Sequence, residues 1–160
     1  MSDMSLRPVR PDDQDWIVDR HAALYARDEG FDGTFGPLVR GIVADFLAGH
    51  DPRREAGWIA EGPQGRIGCI FCMRKDDETA KLRLFLILPE ARGKGRGRQL
   101  LAACMGFARE AGYRRMVLWT HASHEAACAL YARSGWHLAD SHPVRSFGVD
   151  LIEQAWEIDL

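Results

Sequence analysis

The chain has 160 residues and a net charge of −2 at neutral pH, with 46% apolar and 28% charged residues. That is ordinary globular composition for one domain spanning residues 1–160. It excludes a disordered chain and a surface basic enough to hold nucleic acid or anionic membrane at large. No apolar run approaches the roughly 20 residues of a membrane span, and "MSDMSLRPVRPDDQDW" lacks the apolar centre of a secretory signal. The expectation is therefore a cytoplasmic protein with no membrane partner.

Along the chain, residues 1–12 are polar with two prolines and read as a short strand and a loop. Asp12 to Arg27 is amphipathic, with Ile17, His21, Leu24 and Tyr25 at helical spacing. "EGFDGTFG" breaks that helix, and Pro37 to His50 resumes helical spacing through Leu38, Ile42, Val43, Phe46 and Leu47. The period then changes. "WIAE" (58–61), "IGCIFCMR" (67–74) and "TAKLRLFLILP" (79–89) read as three strands joined by turns, the last stopped by Pro89. A helix follows to about Ala111, with Gly112 as its stop. "RRMVLWT" (114–120) reads as a buried strand, and Ser123 as the cap of a helix ending at Gly135. "WHLADS" (136–141) and "LIEQAWEIDL" (151–160) read as strands around the loop "HPVRSFGVD". The order implies an α/β fold, a three-layer αβα arrangement on a mixed, mostly antiparallel sheet.

Four cysteines stand at 69, 72, 104 and 128. Cys69 and Cys72 form C-x-x-C on a strand, where odd spacing sends the side chains to opposite faces. No second close pair exists for zinc, so all four read as small buried hydrophobes and no metal is expected.

The stretch "LPEARGKGRGRQLL" places three glycines and four cations between Arg92 and Arg98, at the head of a helix. A helix N-terminus carries free N–H groups and partial positive charge, and glycine admits a ligand close to the backbone. The combination suits a phosphate or pyrophosphate. A dinucleotide fingerprint would require glycine or alanine at Arg98, and a P-loop would require serine or threonine after Lys94, where Gly95 stands.

What does match is Arg92-x-x-Gly95-x-Gly97. With "LRLFLILPEARGKGRGRQLL" before it and "AACALYARSGW" downstream, the chain resembles the GCN5-related N-acetyltransferases over nearly its whole length. "DWIVDRHAALYARDEGFD" and "SFGVDLIEQAWEIDL" look most like the acetyltransferase domains fused behind MarR-type regulators. The resemblance implies a splayed central sheet and an acetyl-CoA-dependent N-acetyltransferase acting on a small or amino-acid-like amine, as a monomer or homodimer. Two other readings stay open: a non-catalytic acyl-CoA sensor, and a protein or peptide N-acetyltransferase.

By resemblance, the amides of Gly93, Lys94, Gly95, Arg96 and Gly97 hold the pyrophosphate of acetyl-CoA, and Arg92 and Arg98 add charge. Leu86, Ile87 and Leu88 offer backbone groups to the pantetheine arm, and a backbone N–H near Leu88 serves the oxyanion. Phe85 to Leu88 has no polar side chain to offer, which agrees with recognition through the backbone. Tyr131 takes the family's tyrosine position as proton donor to the leaving thiolate. Where many members carry a base glutamate, this chain has "AKLRL". His21 and Tyr25, one turn apart with Glu29 beyond, are candidates to line the acceptor pocket, and Arg83 to bind an acceptor carboxylate. His121 or His124 would stand in for the family's pantetheine-binding asparagine.

Overall fold

The structure, a computed structural model, describes residues 3–160. The elements run β1 (Ser5–Pro8), α1 (Gln14–Glu29), α2 (Phe35–Gly49), β2 (Ala56–Gly62), β3 (Gly65–Arg74), β4 (Thr79–Ile87), α3 (Arg96–Glu110), β5 (Arg115–His121), α4 (Glu125–Arg133), β6 (His137–Ser146) and β7 (Val149–Asp159). The strands form a mixed sheet in the order β1-β2-β3-β4-β5-β7-β6. The chain divides into two compact units. One holds residues 3–9, His50–Val117 and Asp159–Leu160; the other holds Arg10–Gly49 and Leu118–Ile158.

In the first unit β1 to β4 form an antiparallel meander. β5 joins β4 in parallel over three residues, Thr79–Lys81 against Arg115–Val117. The helix α3 is the crossover between them, and it packs on β2, β3 and β4. Its apolar stripe of Leu100, Leu101, Cys104 and Ala108 is fully buried. Each such leucine is worth about 1.5–3 kcal/mol relative to exposure. Phe107 meets Trp58 of β2 edge to face, with centroids 5.7 Å apart. Cys72 lies beside Cys104 of α3, whereas the Cys69 thiol donates to the Leu84 carbonyl at 3.2 Å. The two cysteines thus serve opposite faces of β3, as their spacing requires, and all four are free thiols.

In the second unit α1 ends at Gly30, left-handed at φ 73°, with the Phe31 N–H returning to the Tyr25 carbonyl. The helix α2 starts at Phe35, two residues before the expected Pro37. Proline is tolerated there because the first N–H groups of a helix have no intrahelical partner.

Three expectations are corrected. α4 is preceded by His124, not capped by Ser123, and no side chain caps it. Trp119 of β5 is half exposed, so the strand is not buried throughout. Residues 142–146 are not loop: β6 and β7 pair from His137↔Glu157 to Ser146↔Val149. Only Phe147 and Gly148 turn the chain, at φ 55° and 79°, the positive pair that a two-residue hairpin turn demands. Pro143 is compatible with strand structure because β6 is the edge of the sheet.

Gly68 of β3 faces Ile87 of β4, and a Cβ there would lie 2.7 Å from the Leu86 carbonyl oxygen. Gly68→Ala should therefore displace β4 and lower stability by about 1–3 kcal/mol. Urea unfolding of the variant checks this; an unchanged midpoint would show that β4 yields without strain.

Candidate active site

The end of β4 is shaped by one extra residue. Phe71 pairs with Arg83 and Cys69 with Leu86, so Leu84 and Phe85 together stand against Ile70. Leu84 takes up the bulge at φ 51°, a conformation that costs a bulky residue about 1–3 kcal/mol. Beyond it the Leu88 N–H donates to the Ile67 carbonyl at 2.9 Å. Leu88's own amide is thus committed to β3, so an oxyanion donor near Leu88 would be a neighbouring amide. Backbone groups alternate along an antiparallel strand, so those of Ile87 point away from β3. The Ile87 carbonyl accepts from Arg92 Nε at 3.1 Å.

A short 3₁₀ turn, Pro89–Ala91, leads into the glycine loop. Gly93 and Gly95 have φ of 87° and 73°, and Gly95 is the N-cap of α3 with no side-chain cap. A Cβ at either glycine would meet nothing within 4 Å. Positive φ, not crowding, is what requires glycine there. The Gln99 N–H returns to Gly95, leaving the amides of Arg96, Gly97 and Arg98 ahead of the first intrahelical bond. Arg92, Lys94 and Arg98 are exposed beside them, whereas Arg96 is buried. Uncapped amides, positive-φ glycines and three outward cations fit a pyrophosphate.

Arg83 pairs with Phe71 on the sheet face opposite α3. It is half-buried, and burial alone lowers its pKa; among the described residues no carboxylate pairs with it.

In the second unit His21, Tyr25 and His124 come together in one aromatic cluster. Tyr25 stacks on Phe35 at 4.7 Å and meets His124 edge-on at 5.1 Å; His21 lies 5.9 Å from Tyr25. Phe31 and Phe147, stacked at 4.7 Å, extend the cluster, and His121 adds its edge to Phe31 at 5.7 Å. His124 Nε2 lies 3.3 Å from the Glu29 carboxylate and Nδ1 3.2 Å from the Thr120 hydroxyl. Both ring nitrogens therefore have protein partners. His21 Nδ1–H donates to the Ile17 carbonyl at 2.8 Å, while its buried Nε2 has no partner. Burial lowers the His21 pKa to about 4. His121 Nδ1 is likewise buried without a partner, and burial lowers its pKa against the opposing pull of Glu153 and Glu29. Tyr131 is buried at 3% exposure, with ring neighbours Trp136 at 5.7 Å and Trp156 at 6.3 Å. Among the described residues no group of three or more His, Cys, Asp or Glu side chains is placed to hold a metal. No helix among them is long and apolar enough to cross a membrane.

The acetyltransferase (GNAT) family profile matches residues 16–136. The chain belongs to the GNAT acetyltransferases. No curated protein sequence matches it. Among solved structures, an acetyltransferase from Streptococcus agalactiae 2603 is similar at 21% identity and TM-score 0.79, covering 100% of both chains. yncA from Salmonella typhimurium, solved with its cofactor acetyl-CoA, is similar at 21% identity and TM-score 0.73, over 99% of this chain and 95% of that one. The ribosomal-protein-alanine N-acetyltransferase from Brucella melitensis is similar at 17% identity and TM-score 0.78, over 98% and 99%. At these identities the likeness establishes the GNAT fold.

Sequence reading passed over Phe31, Phe35 and Phe147 in this GNAT chain. The first two lie in and beside a glycine-rich break, where only their four-residue spacing hinted at a shared face.

The buried neutral His21 makes stability pH-dependent. The unfolded imidazole titrates near 6.5 and the folded one near 4. Stability is intact above the unfolded value and is lost as pH falls toward the folded value, because only the unfolded chain takes up the proton. Urea unfolding should show a loss of about 2 kcal/mol from this group between about pH 7 and pH 5. His21→Phe should remove that part of the slope; an identical slope in the variant would assign it elsewhere.

Proposed function

We propose that this GNAT chain, acting as a single domain, transfers an acetyl group from acetyl-CoA to the amine of a small or amino-acid-like acceptor, directly in a ternary complex. The observation that carries the reading is the uncapped N-terminus of α3, with Gly93 and Gly95 at positive φ and Arg92, Lys94 and Arg98 exposed around it. The amides from Gly93 to Gly97 would hold the pyrophosphate. The outward backbone groups of Ile87, between Leu86 and Leu88, would meet the pantetheine arm. In the reaction the neutral amine attacks the thioester carbon and the C–S bond breaks. The thiolate takes a proton, for which Tyr131 is the proposed donor, and the proton that nitrogen sheds as the C–N bond forms restores the phenol through water.

The half-buried, unanswered Arg83 supports an acceptor that carries a carboxylate. His21 and Tyr25 are proposed for the acceptor side. A role for His124 at the pantetheine would require release of Thr120 or Glu29. The segments that resemble domains fused to MarR-type regulators also supply Tyr25, Phe31 and Phe147 of the cluster. A non-catalytic acyl-CoA sensor is the rival, favoured by Lys81 and Arg83 on β4 where many relatives place a base glutamate.

Gly95→Val should weaken CoA binding by at least tenfold in calorimetry, because a β-branched residue resists φ near 73°. Undiminished affinity would move the site off this loop. Thiol release from acetyl-CoA against an amine panel separates enzyme from sensor. With an accepted amine in hand, Tyr131→Phe should lower kcat by about 10²-fold, the low end for a general acid, with CoA affinity retained. A folded Tyr131→Phe protein turning over at the parental rate would leave Tyr131 a packing residue.

A further inference from the structure

Arg96 departs from the other cations of its cluster. It sits inside the Gly95-x-Gly97 motif, yet it is only 7% exposed while Arg92, Lys94 and Arg98 face solvent. Nη1 donates to the Ala91 carbonyl at 2.9 Å, and Nη2 donates to the Asp3 carboxylate at 2.6 Å. Ala91 is itself buried and marks where the chain enters the glycine loop; Arg96 marks where the loop becomes helix. One guanidinium therefore joins the two ends of Arg92–Gly95 and ties them to the residues before β1. A buried cation requires polar partners, and a carbonyl with a carboxylate supplies two here.

We propose that the Arg96 side chain is a positioning group for the cofactor loop: with Asp3 it clasps Ala91 and holds the Gly93–Gly97 amides in their binding shape, without the guanidinium touching the phosphates. Two glycines in four residues give the loop a wide choice of conformations, which a ligand would otherwise have to restrict on binding. A loop fixed beforehand binds more tightly because that ordering is already complete. The Asp3 carboxyl is held below the usual carboxylate range chiefly by the hydrogen bond from Arg96, consistent with the same pairing. The side chain's direction also separates its role from that of its neighbours. Lys94 and Arg98 face solvent, and Arg92 is exposed with only its Nε held by the Ile87 carbonyl, whereas both arms of Arg96 are engaged inside the unit.

This inference rests on the reading of the loop as the CoA site, and the experiment keeps the two apart. Arg96→Met keeps the apolar stem and removes both bonds; Asp3→Asn keeps an acceptor but removes its charge at a half-exposed position that folding tolerates. Two quantities are measured on each: the Kd for CoA at low and high salt, and the ¹⁵N order parameters of residues 93–98 without CoA. Arg96→Met should raise Kd at least tenfold, and Asp3→Asn a few-fold. The Arg96→Met loss should persist in about 1 M salt, where Coulombic attraction to phosphate is screened. Loop order parameters should fall from about 0.85 toward 0.6 in Arg96→Met, with β4 and the rest of α3 unchanged. A loss that disappears in high salt makes Arg96 a phosphate ligand and overturns the proposal. Unchanged loop order in Arg96→Met overturns it too, and so does loosening spread over the whole unit. If the parent protein binds no CoA, the reading of the loop fails, and the order parameters alone decide the clasp.

Discussion

One surplus residue in β4 sets the geometry on which the first unit's candidate chemistry depends. Because Leu84 and Phe85 share a single partner, Ile70, every residue after them is shifted by one in register. The shift commits the Leu88 amide to β3 and turns the backbone groups of Ile87 the other way. Two small features of β3 make the arrangement possible. Gly68 allows the Leu86 carbonyl to come close, and the Cys69 thiol meets the Leu84 carbonyl that the bulge displaces. A strand with unbroken pleat would have spent the Ile87 groups on its neighbour, leaving an apolar segment nothing with which to recognise a polar ligand.

The helix that follows is secured at both ends by arginines with different tasks. At the C-terminal end Arg54 donates to the Ala111 carbonyl at 2.7 Å, lies 3.9 Å over the Tyr113 ring, and its own carbonyl accepts the Tyr113 hydroxyl. The first of these contacts satisfies a carbonyl at the negative end of the helix dipole, and the other two hold Arg54 in place. At the other end Arg96 supports the loop from beneath, while the amides themselves are left uncapped. Stability is concentrated where the helix stops, and binding capacity is kept where it begins.

Among the described residues, the fully buried side-chain nitrogens without a hydrogen-bond partner lie in the second unit. His21 Nε2, His121 Nδ1 and Trp136 Nε1 are all buried without partners, and each orphaned group costs about 1–3 kcal/mol. His21 and His121 belong to the aromatic cluster around Tyr25 and Phe31, and Trp136 lies beside Tyr131. Groups left unsatisfied inside an otherwise well-packed fold concentrate where function, and not stability alone, has shaped the sequence. The Glu29–His124–Thr120 chain shows that the same region can satisfy polar groups when its geometry allows.

Local pattern alone determined the order of elements, the glycine loop at the head of α3 and the opposite faces of Cys69 and Cys72, because helical and strand periods are written in neighbouring residues. It also carried the two motifs that mark the GNAT family. It misjudged the closing hairpin because a Phe-Gly turn resembles no standard turn signal and Pro143 reads as a breaker until its strand is known to be an edge. Pairing between distant segments decided the rest. The bulge depends on the register of β3 against β4, and neither strand records it by itself. That Arg96 turns inward while Arg92, Lys94 and Arg98 turn outward follows from where Asp3 and the Ala91 carbonyl come to lie. Four cations of equal charge in one short run cannot be told apart until folding supplies a buried acceptor for only one of them.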